Sequence, residues 1–386
     1  MTNASVAPIW HDMLAQPEAV ELLSIAVRHR DEGVFHSWLF TGPPGSGRSN
    51  LAFAFAAALQ CPEGGCSICH SCKLAQSGTH PDIHVLSTEA SQITIAEIRE
   101  LVADSVLGSS MGKYRIMIIE DADRMTPIAS NVLLKALEEP PAGTIWMLCA
   151  PSEADMLPTI RSRVRRVGLK VPSVEDVAKL LIEREGVEPK LAHIAAAEAQ
   201  SHIGMARRLA QSPEARARRK EVLTAAMNIR TVTDAVATAG KWLDLAKSDA
   251  EALTKERDEE ERLALLHSLG LTEKDPLPQA LRSELKRLTD AQSRRSTRSI
   301  RDGLDRIFVD LLALMRDVLA VQLQAATPLV NEDFRGAIEK FAESTKPEDT
   351  LARITAIDQA RVRIERNVRD QLTLESLAVS LQVKKR

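Results

Sequence analysis

Aromatic side chains are scarce in this chain of 386 residues: they make up 3%, with a single tyrosine. That argues against the row of stacking rings on which single-stranded nucleic acid is gripped. It also leaves the cores to Leu, Ala, Val and Ile, which favours helices. Charge of one sign is not in excess. The formal net charge is −3, so no overall field draws the chain to nucleic acid, and any DNA contact has to be a local patch. Long apolar runs are missing. The longest, Leu51 to Leu59, is far too short to span a bilayer. The opening MTNASVAPIWHDML has no basic start followed by an apolar core, so it does not read as a secretory signal. The expectation is a cytoplasmic protein that spans no membrane. The five cysteines are then better suited to metal than to disulfides.

What is present points to a folded chain of two to three domains, at roughly 100–200 residues each. Its organising stretch is Gly42-Pro43-Pro44-Gly45-Ser46-Gly47-Arg48-Ser49. A short apolar run, Ser37 to Thr41, precedes it, and a helix is expected from about Arg48 to Gln60. Strand, glycine loop and helix in that order make a P-loop. Gly42, Gly45 and Gly47 let backbone N–H groups face phosphate oxygens, and the helix N-terminus adds partial positive charge. Ser49 stands where a hydroxyl meets magnesium. Arg48 stands where lysine belongs, and that exchange is not conservative. Two readings of Arg48 stay open: it holds phosphate, or it fills the site itself.

Cys61, Cys66, Cys69 and Cys72 follow within CPEGGCSICHSC. Four thiolates in one short loop suit tetrahedral zinc, and a closed set of four leaves no catalytic position. Structural zinc over residues 61–72 is the expectation. Cys149 stands alone in an apolar run and reads as core.

Further short strands are expected at Ile83 to Leu86, Arg115 to Ile119, Thr144 to Cys149 and Val164 to Leu169, with helices at about Thr94 to Val106 and after Thr126-Pro127. The strand at Arg115 is nearly all apolar, as in a parallel sheet. It ends in Glu120-Asp121-Ala122-Asp123. Acidic residues at such a strand end hold magnesium and orient a hydrolytic water in P-loop proteins. The usual order is Asp then Glu; Glu120-Asp121 reverses it.

These residues together resemble a family. GPPGSGRS, the cysteine cluster, GTHPD, IIEDADRM, ASNVLLKALEEPP and LPTIRSRV occur in the order of bacterial clamp-loader subunits, the AAA+ proteins of the DNA polymerase III holoenzyme. The motifs cover about the first half of the chain. Arg48 and the Glu120-Asp121 order depart from the gamma/tau motor and look like the stationary delta-prime type, in an actinobacterial form. The resemblance implies an α/β AAA+ P-loop domain over residues 1–170 with a parallel sheet flanked by helices and a zinc loop. A small three-helix lid over 171–212 and a helical collar over 213–386 would follow. It implies that ATP with magnesium is a possible ligand, with hydrolysis by the chain itself weak or absent. It also implies an arginine finger given in trans from Ser162-Arg163-Val164, with Arg163 in the role and Arg161 competing for it. Ser152 falls near the family's sensor 1, Arg207 at its sensor 2 facing the nucleotide pocket, and Leu14-Ala15-Gln16 near the adenine. The partners implied are the gamma/tau and delta subunits in a hetero-oligomer, and the sliding clamp and primer-template DNA through the complex.

In the second half, Ser173 and Asp176 are placed to cap a helix reciprocally. Helices are expected at Val174 to Glu185, Pro189 to Ala199 and Ile203 to Ala210. Leu304, Ile307, Phe308, Leu311, Leu312, Met315, Val318 and Leu319 recur at helical spacing, as do Leu372, Leu374, Leu377 and Leu381. These stripes predict packed helices. Within a charged segment around 247–301, Lys255 to Arg262 and Arg294-Arg295 read as solvated helix faces, with Pro276 and Pro278 breaking the chain between them. Two other functions remain: a gamma/tau-like motor that hydrolyses ATP through Asp121, and a zinc-dependent DNA-binding module.

Overall fold

A computed structural model describes residues 7–383, apart from 12, 14, 15, 89–91 and 269–281. Leu14, Ala15, Pro276 and Pro278 therefore lie outside the described residues. The chain divides into two compact units, Met1–Ala210 and Gln211–Arg386.

In the first unit, strands β1 (Ser37–Thr41), β2 (Ile83–Leu86), β3 (Arg115–Ile119), β4 (Thr144–Ala150) and β5 (Arg165–Gly168) form one parallel sheet in the order β2-β3-β4-β1-β5. Alternation along the strands explains both layers. Trp38, Phe40, Ile116, Ile118, Ile145 and Met147 face one side, where α1 (Pro17–Arg28) and α2 (Arg48–Gln60) bring Leu23, Val27, Leu51 and Phe55. Leu39, Met117, Ile119, Trp146 and Leu148 face the other. There α4 (Ile95–Ser105) and α5 (Pro127–Glu138), which follow the short α3 (His70–Gln76), bring Ile98, Leu101, Leu133 and Leu137. A sheet covered on both faces needs apolar residues at both parities, and that is why its strands read as continuous apolar runs. This is the expected parallel sheet flanked by helices. No helix among the described residues is long and apolar enough to cross a membrane.

The helix ends follow their caps. Thr94 accepts from the Glu97 N–H while the Glu97 carboxylate accepts from the Thr94 N–H; Ser173 and Asp176 do the same for α7 (Val174–Glu185). After the single turn α6 (Pro158–Arg161), α7 is joined by α8 (Pro189–Glu198) and α9 (Ile203–Gln211), three helices close to the expected bounds.

Among its described residues the second unit is built from helices joined by loops: α10 (Pro213–Met227), α11 (Val232–Ser268), α12 (Arg282–Gln322), α13 (Arg335–Glu343), α14 (Pro347–Glu365) and α15 (Asp370–Leu381). Trp242, Leu304, Phe308, Leu311, Met315, Val318, Leu374 and Leu377 are in its core. Two expectations need correction. Leu372 is 56% exposed and is not part of the core stripe; it opens the first turn of α15, on the face away from Leu374 and Leu377. Arg295 is not on a solvated face. Its side chain is 11% exposed and meets Asp258 at 2.5 Å and Glu261 at 2.9 Å, because α11 and α12 lie side by side and bring acid and base of distant sequence together. Arg294 beside it is exposed.

Candidate functional site

The phosphate loop is built as its glycines require. Gly45 and Gly47 have φ of +80° and +90°, a region open to glycine and strained for other residues. The Gly42 N–H donates to the Pro151 carbonyl at 3.1 Å, which ties the loop to the end of β4. The loop is also filled from within. Nη1 of Arg48 donates to the Gly42 carbonyl at 2.9 Å, and Nη2 lies 4.0 Å from Oδ1 of Asp121. The Arg48 side chain is only 12% exposed. Arg48 and Asp121, both expected to serve a nucleotide, face each other at ion-pair distance.

Asp121 sits in the left-handed region with φ of +48°, which aspartate tolerates better than most side chains. Arg124 approaches its other oxygen at 3.6 Å. Burial, followed by the neighbouring Asp121 carboxylate, pushes the Asp123 carboxyl up. Burial also pushes the Cys149 thiol up to about 12, with Glu120 adding to the effect and the Ser49 hydroxyl opposing it. Cys149 is core, as its apolar run predicts.

A second group closes the loop from the lid. A Cβ built on Gly45 would collide with the His202 ring. His202 is held there because its Nδ1 accepts from the Met205 N–H at 3.2 Å, at the start of α9. Gln200 and Ser201 just before it both have positive φ. His202 was missed in the sequence, although it lies two residues before the quoted Gly204-Met205-Ala206-Arg207. A lone histidine in a turn carries no signal of what it will pack on.

The remaining expected site residues lie as follows. Ser152 Oγ accepts from the Ala154 N–H at 3.1 Å and caps the turn at Glu153–Asp155. Arg207 donates to Glu185 within the lid. Gln16 bonds the Lys170 main chain on both sides of its amide. Arg163, at the end of α6, donates to Glu138 and to Thr159 and Ser162. No hydrogen-bond partner is seen for the buried Nε of Arg161.

The four-cysteine loop forms a separate site. The sulfurs of Cys61, Cys66, Cys69 and Cys72 all lie within 4.8 Å of one another. Cys61 is 3.6 Å from Cys66 and 3.8 Å from Cys69. A tetrahedral thiolate cage at the usual zinc–sulfur length spaces its sulfurs at about 3.8 Å, so the donor set fits zinc. Backbone N–H groups of Cys66, Cys69 and Cys72 each point at a preceding sulfur at 3.4 Å. N–H groups of Ile68 and Cys69 hold the Cys66 thiol down at about 7, while burial pushes Cys69 and Cys72 up.

A buried polar chain joins this loop to the sheet. The His80 Nδ1 accepts from the Asp82 N–H at 3.1 Å, so Nε2 carries the proton toward Ser71 Oγ at 3.0 Å. Ser71 in turn donates to the Gln60 carbonyl at 3.3 Å. Serine, histidine and aspartate thus lie together without forming a nucleophilic triad: the imidazole donates to the hydroxyl and does not take its proton.

Comparison with known proteins adds to this geometry. The family described as "DNA polymerase III, delta subunit" matches residues 15–173. The chain is 26% identical over 379 residues to the DNA polymerase III subunit delta' of Bacillus subtilis, covering 97% of this chain and 98% of that one. It is 36% identical over 169 residues to subunit delta' of Pseudomonas aeruginosa, covering 41% of this chain and about half of the other, 52%. To subunit gamma/tau of Mycobacterium tuberculosis it is 30% identical over 185 residues, 46% of this chain and 32% of the other.

Proposed function

We infer the function of this chain from its membership of the delta-prime family of DNA polymerase III: it is an AAA+ clamp-loader subunit. Within the complex it is the stationary subunit. It assembles with gamma/tau motor subunits and the clamp-opening delta subunit, and it reaches the sliding clamp and primer-template DNA through them. The observation that carries the stationary role is Arg48 lying inside its own phosphate loop, bonded to Gly42 and facing Asp121. The guanidinium bonds the loop's own main chain where a P-loop lysine would reach out to phosphate, and the His202 ring packs on Gly45. ATP with magnesium, if held among Gly42, Gly47, Ser49, Glu120 and Asp121, would have to draw Arg48 away from Gly42. Ser152 and Arg207 keep the family's sensor positions as parts of the scaffold. The loop of four cysteines holds structural zinc, and the complex works in the cytoplasm.

The contribution to hydrolysis is made in trans. Arg163 stands at the domain edge, after α6, with its side chain 34% exposed. A guanidinium there stabilises the charge that spreads over a transferring phosphoryl group in a neighbouring motor subunit. Arg163→Ala in the reconstituted complex is expected to stop turnover at the interface it serves, since such arginines are worth roughly a thousandfold or more in rate. Assembly, followed by gel filtration, is expected to be unchanged. Normal DNA-stimulated ATPase in that complex would remove the trans role. Robust ATPase by the chain alone, abolished by Asp121→Asn, would assign a motor instead.

A further inference from the structure

We propose that Glu138 is the positioning residue for Arg163. The inference rests on the trans role of Arg163 argued above and adds what aims it. Nε and Nη2 of Arg163 both meet Oε1 of Glu138, at 2.6 and 2.5 Å. Nη1 donates to the Thr159 carbonyl at 2.8 Å and to Ser162 Oγ at 2.9 Å. The Ser162 hydroxyl donates to the same Thr159 carbonyl at 3.0 Å, which fixes its lone pairs toward the arginine. The guanidinium is thus held along two sides by one charged acceptor and two neutral ones.

Those acceptors stand on rigid ground. Glu138 is the last residue of α5, just before Pro140-Pro141 end any helical continuation. Thr159 belongs to α6, and Ile160 of that turn is buried in the same core cluster as Leu133 and Leu137 of α5. The acid and the arginine are therefore fixed through one packed layer, not through a loose surface pair. Arg163 and Glu138 are 34% and 45% exposed, and exposed pairs of this kind add little to stability. Orientation is what the arrangement supplies. An unattached arginine at a domain edge samples many rotamers, and losing that freedom on each turnover raises the barrier; a guanidinium already held in one rotamer does not lose it. A phosphoryl group carries more charge than the neutral Thr159 and Ser162 oxygens, so it displaces them from Nη1 while Nε stays on Glu138.

The test uses the complex reconstituted from this chain with its motor and delta subunits, and reads DNA-stimulated ATPase. Glu138→Ala is expected to lower kcat by about tenfold with KM for ATP within about twofold, as a misaimed group that acts only in the transition state does. Glu138→Gln keeps an acceptor oxygen at the same reach and is expected to retain kcat within about threefold. Glu138→Asp keeps the charge but withdraws the oxygen by a methylene, and is expected to be slow like the alanine variant. Adding Glu138→Ala to Arg163→Ala should cost nothing further, because the two act as one unit. A normal kcat for both Glu138→Ala and Glu138→Asp beside an impaired Arg163→Ala overturns the positioning role and leaves the trans arginine standing. Additive losses in the double variant overturn it as well. An unimpaired Arg163→Ala brings down the trans arginine and the positioning role together. If Glu138→Ala does not assemble, the contrast between Gln and Asp decides alone: equal rates overturn the proposal, and a slow Asp variant sustains it.

Discussion

At the scale of single residues, the buried charge of Asp82 is matched by a specific set of donors. Asp82 is fully buried, and its two oxygens accept from the N–H groups of Ser110, Met111 and Gly112 at 2.5–2.8 Å and from the Ser110 hydroxyl at 2.9 Å. Burial alone would push its carboxyl up. The donors from Ser110, Gly112 and Met111 outweigh burial and hold it down at about 2. A carboxyl held below its ordinary value near 3.9 stabilises the fold above that value, on the order of 2 kcal/mol, and the contribution is lost as pH falls from about 4 toward 2. Asp82→Asn turns an amide N–H toward donors and should lower the stability of the first unit by about 1–3 kcal/mol, measured by urea unfolding at neutral pH. It should also flatten the acid limb between pH 4 and 2; an unchanged limb would refute the account. The sequence marks Asp82 only as part of GTHPD. Its partners lie about thirty residues on, and no local pattern announces such a cage. Arg48 was legible as an anomaly, but which of its two readings applies depends on Asp121, a residue brought near only by the sheet.

At the scale of elements, boundaries were read well where caps set them. Thr94 with Glu97, Ser173 with Asp176 and Pro127 after Thr126 each fix a helix start by chemistry within four residues. Long-range pairing was not legible. The α11 and α12 stretches read as solvated from their charge alone, yet Arg295 joins Asp258 and Glu261 across 34–37 residues of sequence. The four-cysteine loop falls between these cases: spacing named the candidate ligands, but not the Ser71–Gln60 bond that ties α3 back to the end of α2 or the His80 contact beside it. The loop makes a clear prediction. Reduced protein should carry about one equivalent of zinc by metal analysis, as a closed four-thiolate site does. Chelation should raise amide exchange across residues 61–76 while β3 and β4 stay protected. Reduced protein free of zinc would end the assignment.

At the scale of the whole molecule, the hydrophobic clusters divide with the two units. The sheet of Met1–Ala210 has one on each face, and Gln211–Arg386 has another around Trp242, Phe308 and Leu377. The division falls where α9 ends and Ser212 caps α10, its Oγ accepting from the Ala215 N–H at 3.1 Å. A fragment beginning at residue 211 should therefore fold unaided, with strong helical circular dichroism and a cooperative thermal transition. A disordered fragment would show that its core depends on the first unit. The two halves of the chain differed in how far they could be read. The first carries dense motifs whose backbone geometry is demanding. The second offers little beyond apolar stripes at helical spacing, which give helices without their partners.

Gly45 holds a further consequence. A missing side chain in a phosphate loop is normally credited to a nucleotide, but here the vacated space is taken up by the His202 imidazole of the same chain. Replacing Gly45 with alanine would force the His202 ring to shift whether or not a nucleotide is bound. The glycine thus answers to the packing of His202 as well as to the shape of the loop.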